Sequence, residues 1–420
     1  MTESFRIRGG NTLEGDTFVQ GSKNAATKLI AATLLTSDTC RLKNVPKIRD
    51  VQVMLEILEE MGAQVKIGDN IVEIKNSSID PSKLPYEKVI KLRSSVVLIG
   101  PMLARFGEVK MPYPGGDKIG ARSLDTHFNI FLDLGYEVKA GESLFSIKKT
   151  SRVPAIRKII LDEFSVTATE NFLMACSRMP HQIEASIVAQ EPHIQNLSEF
   201  LNKMGANVQI LPGNVIRIKG SQRLHGAEID VVRDYIEAGT FVIAGLLSGR
   251  TLRVHNFPVN HLELFLQKLI RGGALIKIED PQTVTIKGST NIVLPKIQTM
   301  IYPGVPTDLQ SPIGILATQT PGITIIHDPL YEGRLKYLRE LQKMGAQVKI
   351  KDVHRAEVYG PTKLKGATIK GEDIRGGMAL IIAGLIAEGD TILENTYQVD
   401  RGYEKIDERL RSLGADIKRI

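Results

Sequence analysis

The sequence predicts an α/β protein: a two-domain inside-out α/β barrel with six repeats of about 70 residues, three per domain. Two observations carry this. A segment closed by glycine recurs six times along the 420 residues. A second, more apolar segment recurs six times at the same spacing but in a different phase.

The first series is seen in MGAQV, which occurs at 61–65 and again at 344–348. Near-copies are LGYEV (134–138), MGANV (204–208), GGALI (272–276) and LGADI (413–417). Their glycines are Gly62, Gly135, Gly205, Gly273, Gly345 and Gly414. The stretch before each, as in VQVMLEILEEMG (51–62), has apolar residues at i, i+3, i+4 and i+7, which is the helix period. The glycine then stands where a helix end wants positive φ. A short alternating strand follows, such as AQVKI.

The second series begins near Lys23 (KNAATKLIAATLL), Arg93 (RSSVVLIGPMLA), Ser165 (SVTATENFLMAC), Tyr235 (YIEAGTFVIAGLL), Thr307 (TDLQSPIGILAT) and Arg375 (RGGMALIIAGLIA). These segments are apolar around most of a helix circumference, so they belong in the centre with the strands outside. Each carries a polar residue at its head. A helix head offers unpaired N–H groups and about half a positive charge, so several together make an anion site. Ser165 and Thr307 suit ordinary caps. Lys23, Arg93 and Arg375 do not, because a cation opposes the dipole. One such residue alone reads as a first-turn charge; the set in phase points to phosphates or carboxylates.

Composition narrows the class. An apolar fraction of 42% suffices for a large core. The start, MTESFRIRGG, lacks the apolar stretch of a signal peptide. The longest apolar run, MALIIAGLIA (378–387), is too short to span a membrane. Two cysteines, Cys40 and Cys176, make no disulfide framework, and a reducing cytoplasm is expected. No Cys/His spacing suggests a metal site. The net charge of +7 comes with no Trp, 5% aromatics and no dense basic run. That favours a small polyanionic substrate over nucleic acid.

Several motifs are more specific. GSKNAA (21–26), LRSS (92–95), GPMLARFG (100–107), PGGDKIGAR (114–122), SVTATEN (165–171), YPGVPTD (302–308), DIRGG (373–377) and DRGYE (400–404) resemble the enolpyruvyl transferases. They are most similar to the UDP-N-acetylglucosamine 1-carboxyvinyltransferase family. The shikimate-branch enzymes of the same superfamily usually follow Gly-Ser-Lys with a Ser and then an Arg; here Asn-Ala-Ala-Thr follows Lys23. The resemblance implies two domains that close over phosphoenolpyruvate and UDP-N-acetylglucosamine. One is 1–23 plus 233–420. The other is 24–232, with a mobile loop at 112–120. It also implies a monomer with no metal or redox cofactor and no nucleic-acid or membrane partner.

The same resemblance implies roles. Asp117 is the acid candidate, at a position where most of the family has Cys. A carboxyl starts near pKa 3.9 and a thiol near 8.5, so Asp117 needs burial and an anionic neighbour to donate a proton at neutral pH; Lys118 beside it would oppose that. Asp308 is the candidate base for the sugar hydroxyl. Lys23, Arg122 and Arg401 fall to the phosphate of phosphoenolpyruvate, Lys23 also taking part in catalysis. Arg334 and Arg375 fall to the carboxylate, and Arg93 lines the same cleft. Asn24 is assigned to the sugar, and Asp373 to orienting its neighbours. Arg93, Arg122, Ser123, Leu124, Asp125, Ser165, Val166, Thr167, Asp308 and Leu330 are assigned to UDP-N-acetylglucosamine. His127 reads equally as a cap or a core residue. Ser123-Leu124, Thr167 and Glu163 depart from the usual Pro-Val, Gly and, in some members, Lys.

Overall fold

The computed structural model describes residues 3–116, 119–120, 122–150 and 157–420. Of these, 3–20, 119–120 and 233–420 form one unit, which holds both ends of the chain. Residues 21–116, 122–150 and 157–232 form the other, inserted unit. The first boundary falls after Gln20, three residues before the expected one. Gly21 and Ser22 are built into the inserted unit. The Ser22 N–H donates to the Val232 carbonyl at 2.7 Å. A Cβ on Gly21 would lie 1.9 Å from the Asn44 carbonyl oxygen, so only glycine fits there.

Among the described residues the strands form six sheets, five of four strands and one of three. The four-stranded sheets share one plan. In the unit with the termini, Lys296–Gln298 runs parallel to Gly322–His327. That strand pairs antiparallel with Arg355–Gly360, which pairs antiparallel with Gln347–Ile350. In the inserted unit the parallel partner of Thr39–Lys43 is Glu228–Asp230, from far along the chain. The three-stranded sheet, Glu108–Pro112 with Leu144–Lys149 and Tyr136–Ala140, is antiparallel throughout.

Each unit has a helical centre. In the inserted unit this is Lys23–Ala32, Ile99–Phe106 and Val166–Cys176. In the other it is Tyr235–Ser248, Gln310–Gln319 and Ile374–Ile386. Every residue of the last from Ile374 to Leu385 is buried, as an all-round apolar helix requires. Two of the six do not begin α-helical. Arg93–Leu98 and Thr307–Leu309 are 3-10 turns that lead into the α-helices. Pro101 and Pro312 each stand in the first turn of the α-helical segment, the one helical position where Pro is tolerated. The outer helices bury one face, as Arg49–Glu60 buries Val51, Met54, Ile57 and Leu58. All six repeat glycines have φ between +81° and +108°. No described helix is long and apolar enough to cross a membrane.

Candidate active site

In the unit with the termini, one carboxylate gathers two of the expected cations. Asp308 sits in the Thr307–Leu309 turn, at the head of a buried helix. Its Oδ1 accepts from Arg334 Nη2, and its Oδ2 accepts from Arg375 Nε at 3.1 Å. Arg334 Nε donates to the Thr307 hydroxyl at 3.3 Å. Arg334 Nη1 lies 3.7 Å from Asp373 Oδ1. That same Oδ1 caps the Ile374–Ile386 helix, accepting from the N–H groups of Arg375 at 3.0 Å and Gly376 at 2.9 Å. Asp373 therefore fixes both a helix start and a guanidinium.

Both arginines are buried, and burial alone disfavours their charge. The charges around them outweigh it, and both pKa values move up. For Arg334 the opposing influence is led by the carboxylates of Asp308 and Asp373; for Arg375 it is led by the neighbouring Tyr403 hydroxyl and then the Asp308 carboxylate. Arg375 also lies over the Tyr403 ring at 5.2 Å, and Arg334 over Tyr331 at 5.5 Å. Arg401 follows the short helix Tyr397–Asp400, is buried, and donates to Gln398 at 2.8 Å. Leu330 keeps a half-exposed side chain, and its N–H is tied to Asp328 at 3.0 Å. Ile119 accepts from the Gly333 N–H at 2.8 Å, one residue from Arg334.

In the inserted unit, Lys23 opens its helix behind the cap residue Ser22. Its ammonium donates to the buried carboxylate of Asp50 at 3.0 Å, which offsets the unfavourable meeting of cation and dipole. Asn24, beside it, is half-buried. Arg93 donates to the carbonyls of Pro114 at 3.1 Å and Arg122 at 2.6 Å, so one guanidinium holds both stems of the 114–122 loop. Asp117 and Lys118 lie outside the described residues.

Ser165 precedes the Val166–Cys176 helix without a side-chain cap bond. Thr167, in its first turn, shares a 3.0 Å hydrogen bond with His127 Nε2. Burial, and then Arg93, push the His127 pKa down to about 3. The ring is therefore neutral at pH 7, and Nε2 can accept the Thr167 hydroxyl proton. His127 supports this helix head from the core. Glu163 accepts from the Thr126 hydroxyl at 3.2 Å. Ser123 and Asp125 are exposed, whereas Leu124 is buried in the core. Sequence reasoning missed Asp50 and Asp328, whose partners are distant in the chain. Among the described residues no group of three or more His, Cys, Asp and Glu could hold a metal ion.

This is the architecture of the enolpyruvyl transferases. The family described as EPSP synthase (3-phosphoshikimate 1-carboxyvinyltransferase) matches residues 7–410. The enolpyruvyl transferase NikO from Streptomyces tendae superposes with a TM-score of 0.89 at 23% identity, covering 100% of this chain and 99% of its own. EPSP synthase from Acinetobacter baumannii gives 0.75 at 18% identity, with 100% of both chains covered. Sequence relatives are closer. "UDP-N-acetylglucosamine 1-carboxyvinyltransferase 2" of Carboxydothermus hydrogenoformans is 38% identical, over 100% of this chain and 99% of that protein. "UDP-N-acetylglucosamine 1-carboxyvinyltransferase 1" of Caldanaerobacter subterraneus subsp. tengcongensis is also 38% identical, over 100% of both. The chain belongs to the UDP-N-acetylglucosamine 1-carboxyvinyltransferase family of enolpyruvyl transferases.

Proposed function

We propose that this protein transfers the enolpyruvyl group of phosphoenolpyruvate to the 3′-hydroxyl of UDP-N-acetylglucosamine and releases phosphate, the first committed step of peptidoglycan precursor synthesis. The observation that carries the chemistry is Asp308 held between Arg334 and Arg375, with Asp373 behind them. The full-length relatives carry the choice of acceptor.

The reaction is an addition followed by an elimination. A proton goes to the methylene carbon of phosphoenolpyruvate, and the sugar oxygen bonds to the adjacent carbon. The tetrahedral adduct then returns a methyl proton and expels phosphate. Asp117 is assigned the first proton. Asp308 orients the sugar hydroxyl and takes its proton. Arg334 and Arg375 face the carboxylate of phosphoenolpyruvate, whose planar oxygens suit guanidinium forks. Lys23, Arg122 and Arg401 face its phosphate, and Arg93 lines the same cleft. Asn24 holds the sugar. The N–H groups of Val166 and Thr167 take the diphosphate at a helix head. Ser123, Leu124, Asp125, Ser165 and Leu330 complete the nucleotide contacts, Leu124 through its backbone. The working form is a cytoplasmic monomer.

Phosphate release from phosphoenolpyruvate tests this, run with UDP-N-acetylglucosamine and, separately, with shikimate 3-phosphate. Release only with the sugar nucleotide is expected. Release only with shikimate 3-phosphate would overturn the choice of acceptor.

A further inference from the structure

We infer that Asp328 is a positioning residue that sets the direction of one hydroxyl and, through it, the aim of Arg334 at Asp308. The inference rests on the reading of Asp308 as the group that handles the acceptor hydroxyl.

Asp328 follows the strand Gly322–His327 and has no solvent exposure. Its backbone is fixed on both sides. The N–H donates to the His354 carbonyl at 2.8 Å, and its carbonyl meets His354 Nδ1 at 2.7 Å. Its Oδ1 accepts from the Leu330 N–H at 3.0 Å. Its Oδ2 accepts from the Thr307 hydroxyl at 2.5 Å. A charge-assisted bond this short fixes which way the hydroxyl hydrogen points.

The polarity matters because Thr307 has one hydroxyl hydrogen and two lone pairs. With the hydrogen committed to Asp328, Thr307 Oγ1 can only accept on its other side. There it meets Arg334 Nε, a donor, at 3.3 Å. With Nε so placed, the two Nη groups point toward Asp308 and Asp373. Asp328 thus acts on both ends of one segment. It holds the Thr307 turn that carries Asp308, and it orders the backbone at Leu330, four residues before Arg334.

Asp328→Asn isolates the effect. An Asn can still accept from Leu330 through its carbonyl, but its NH₂ would face Thr307 as a donor. The hydroxyl can then accept from both the amide and Arg334 Nε, but its hydrogen loses its buried carboxylate acceptor, and the charge-assisted bond that fixed its direction is replaced by a weaker neutral one. Thr307→Val in the same chain removes the hydroxyl and with it the orphaned hydrogen.

The test is steady-state kinetics of Asp328→Asn, Thr307→Val, Thr307→Ser and the Asp328→Asn/Thr307→Val double variant. Asp328→Asn should lose kcat by about thirtyfold with KM for UDP-N-acetylglucosamine within about threefold, a split between turnover and binding. Thr307→Ser should stay near wild type. Thr307→Val should lose about fivefold, and the double variant should be no worse than Thr307→Val alone. Multiplying losses in the double variant, or an unchanged kcat in Asp328→Asn, would overturn the inference.

A second readout does not need activity. The Arg334 Nε–H resonance, assigned by its loss in Arg334→Lys, should be protected from exchange in the wild type and lose protection in Asp328→Asn. Retained protection overturns the inference even if the wild type proves inactive on this substrate pair. Inactive wild type with the expected resonance change overturns only the proposed function.

Discussion

The Asp308 carboxylate accepts a hydrogen bond from Arg375 Nε at 3.1 Å while its other oxygen engages Arg334. Two guanidiniums at this range favour the ionised carboxylate, the form that accepts a proton. Asp308→Asn keeps the size and one acceptor but cannot take a proton. It should lower kcat by about 10²–10³-fold while UDP-N-acetylglucosamine still binds. Stopped-flow phosphate release, with calorimetry for binding, checks both halves. A loss of less than tenfold would remove proton transfer from Asp308.

On the proposed assignment Asp117 takes the place of a family Cys, so an electrophilic epoxide such as fosfomycin meets a carboxylate in place of a thiolate. The carboxylate is the poorer nucleophile toward an epoxide. Activity should show no time-dependent loss with fosfomycin, and Asp117→Cys should gain it. Irreversible inactivation of the natural protein would contradict this. Asp117→Asn should abolish phosphate release, because an amide cannot donate the required proton.

Much of the architecture was readable because a helix end in left-handed backbone demands one residue type. Gly62 and Gly345 mark equivalent corners that way, and both have positive φ. The heads of the buried helices were readable for a related reason: a cation such as Lys23 or Arg375 opposes the helix dipole unless a carboxylate or a bound anion offsets it. Their partners were not readable. Asp50 reaches Lys23 from the next helix, and Asp328 reaches Thr307 across a sheet end. Neither contact leaves a local spacing. The 3-10 starts at Arg93 and Thr307 were also missed, since apolar periodicity does not separate a 3-10 turn from the first turn of an α-helix.

Glu170 is wholly buried on the Val166–Cys176 helix, 3.9 Å from Lys28 Nζ and 3.7 Å from His193 Nε2. Burial pushes its pKa up to about 8, against the pull of Lys28. The folded protein then holds a proton that the unfolded chain releases near pH 4.5. Stability present at low pH is lost as pH rises from there through 8. Glu170→Gln cannot titrate, so its stability relative to wild type should improve between pH 6 and pH 9 by on the order of 2 kcal/mol. Urea unfolding at the two pH values measures the difference. A gap independent of pH would mean that Glu170 is ionised throughout the range.

Two of the repeat glycines separate the backbone cost of an alanine from the steric cost. Gly345 has φ +93°, and the nearest atom to a Cβ there is the Lys363 carbonyl oxygen at 3.7 Å, an ordinary contact. Gly345→Ala therefore carries only the left-handed strain, about 1 kcal/mol. Gly62 has φ +107°, and its Cβ would come within 2.4 Å of the Ser78 carbonyl oxygen, a backbone atom that cannot swing aside. Gly62→Ala must also move the 78–79 segment and should cost about 2 kcal/mol or more. Hydrogen exchange near each site resolves the two losses even if the units unfold separately. Equal losses would show that the 78–79 segment yields freely and that φ alone sets the cost of leaving glycine.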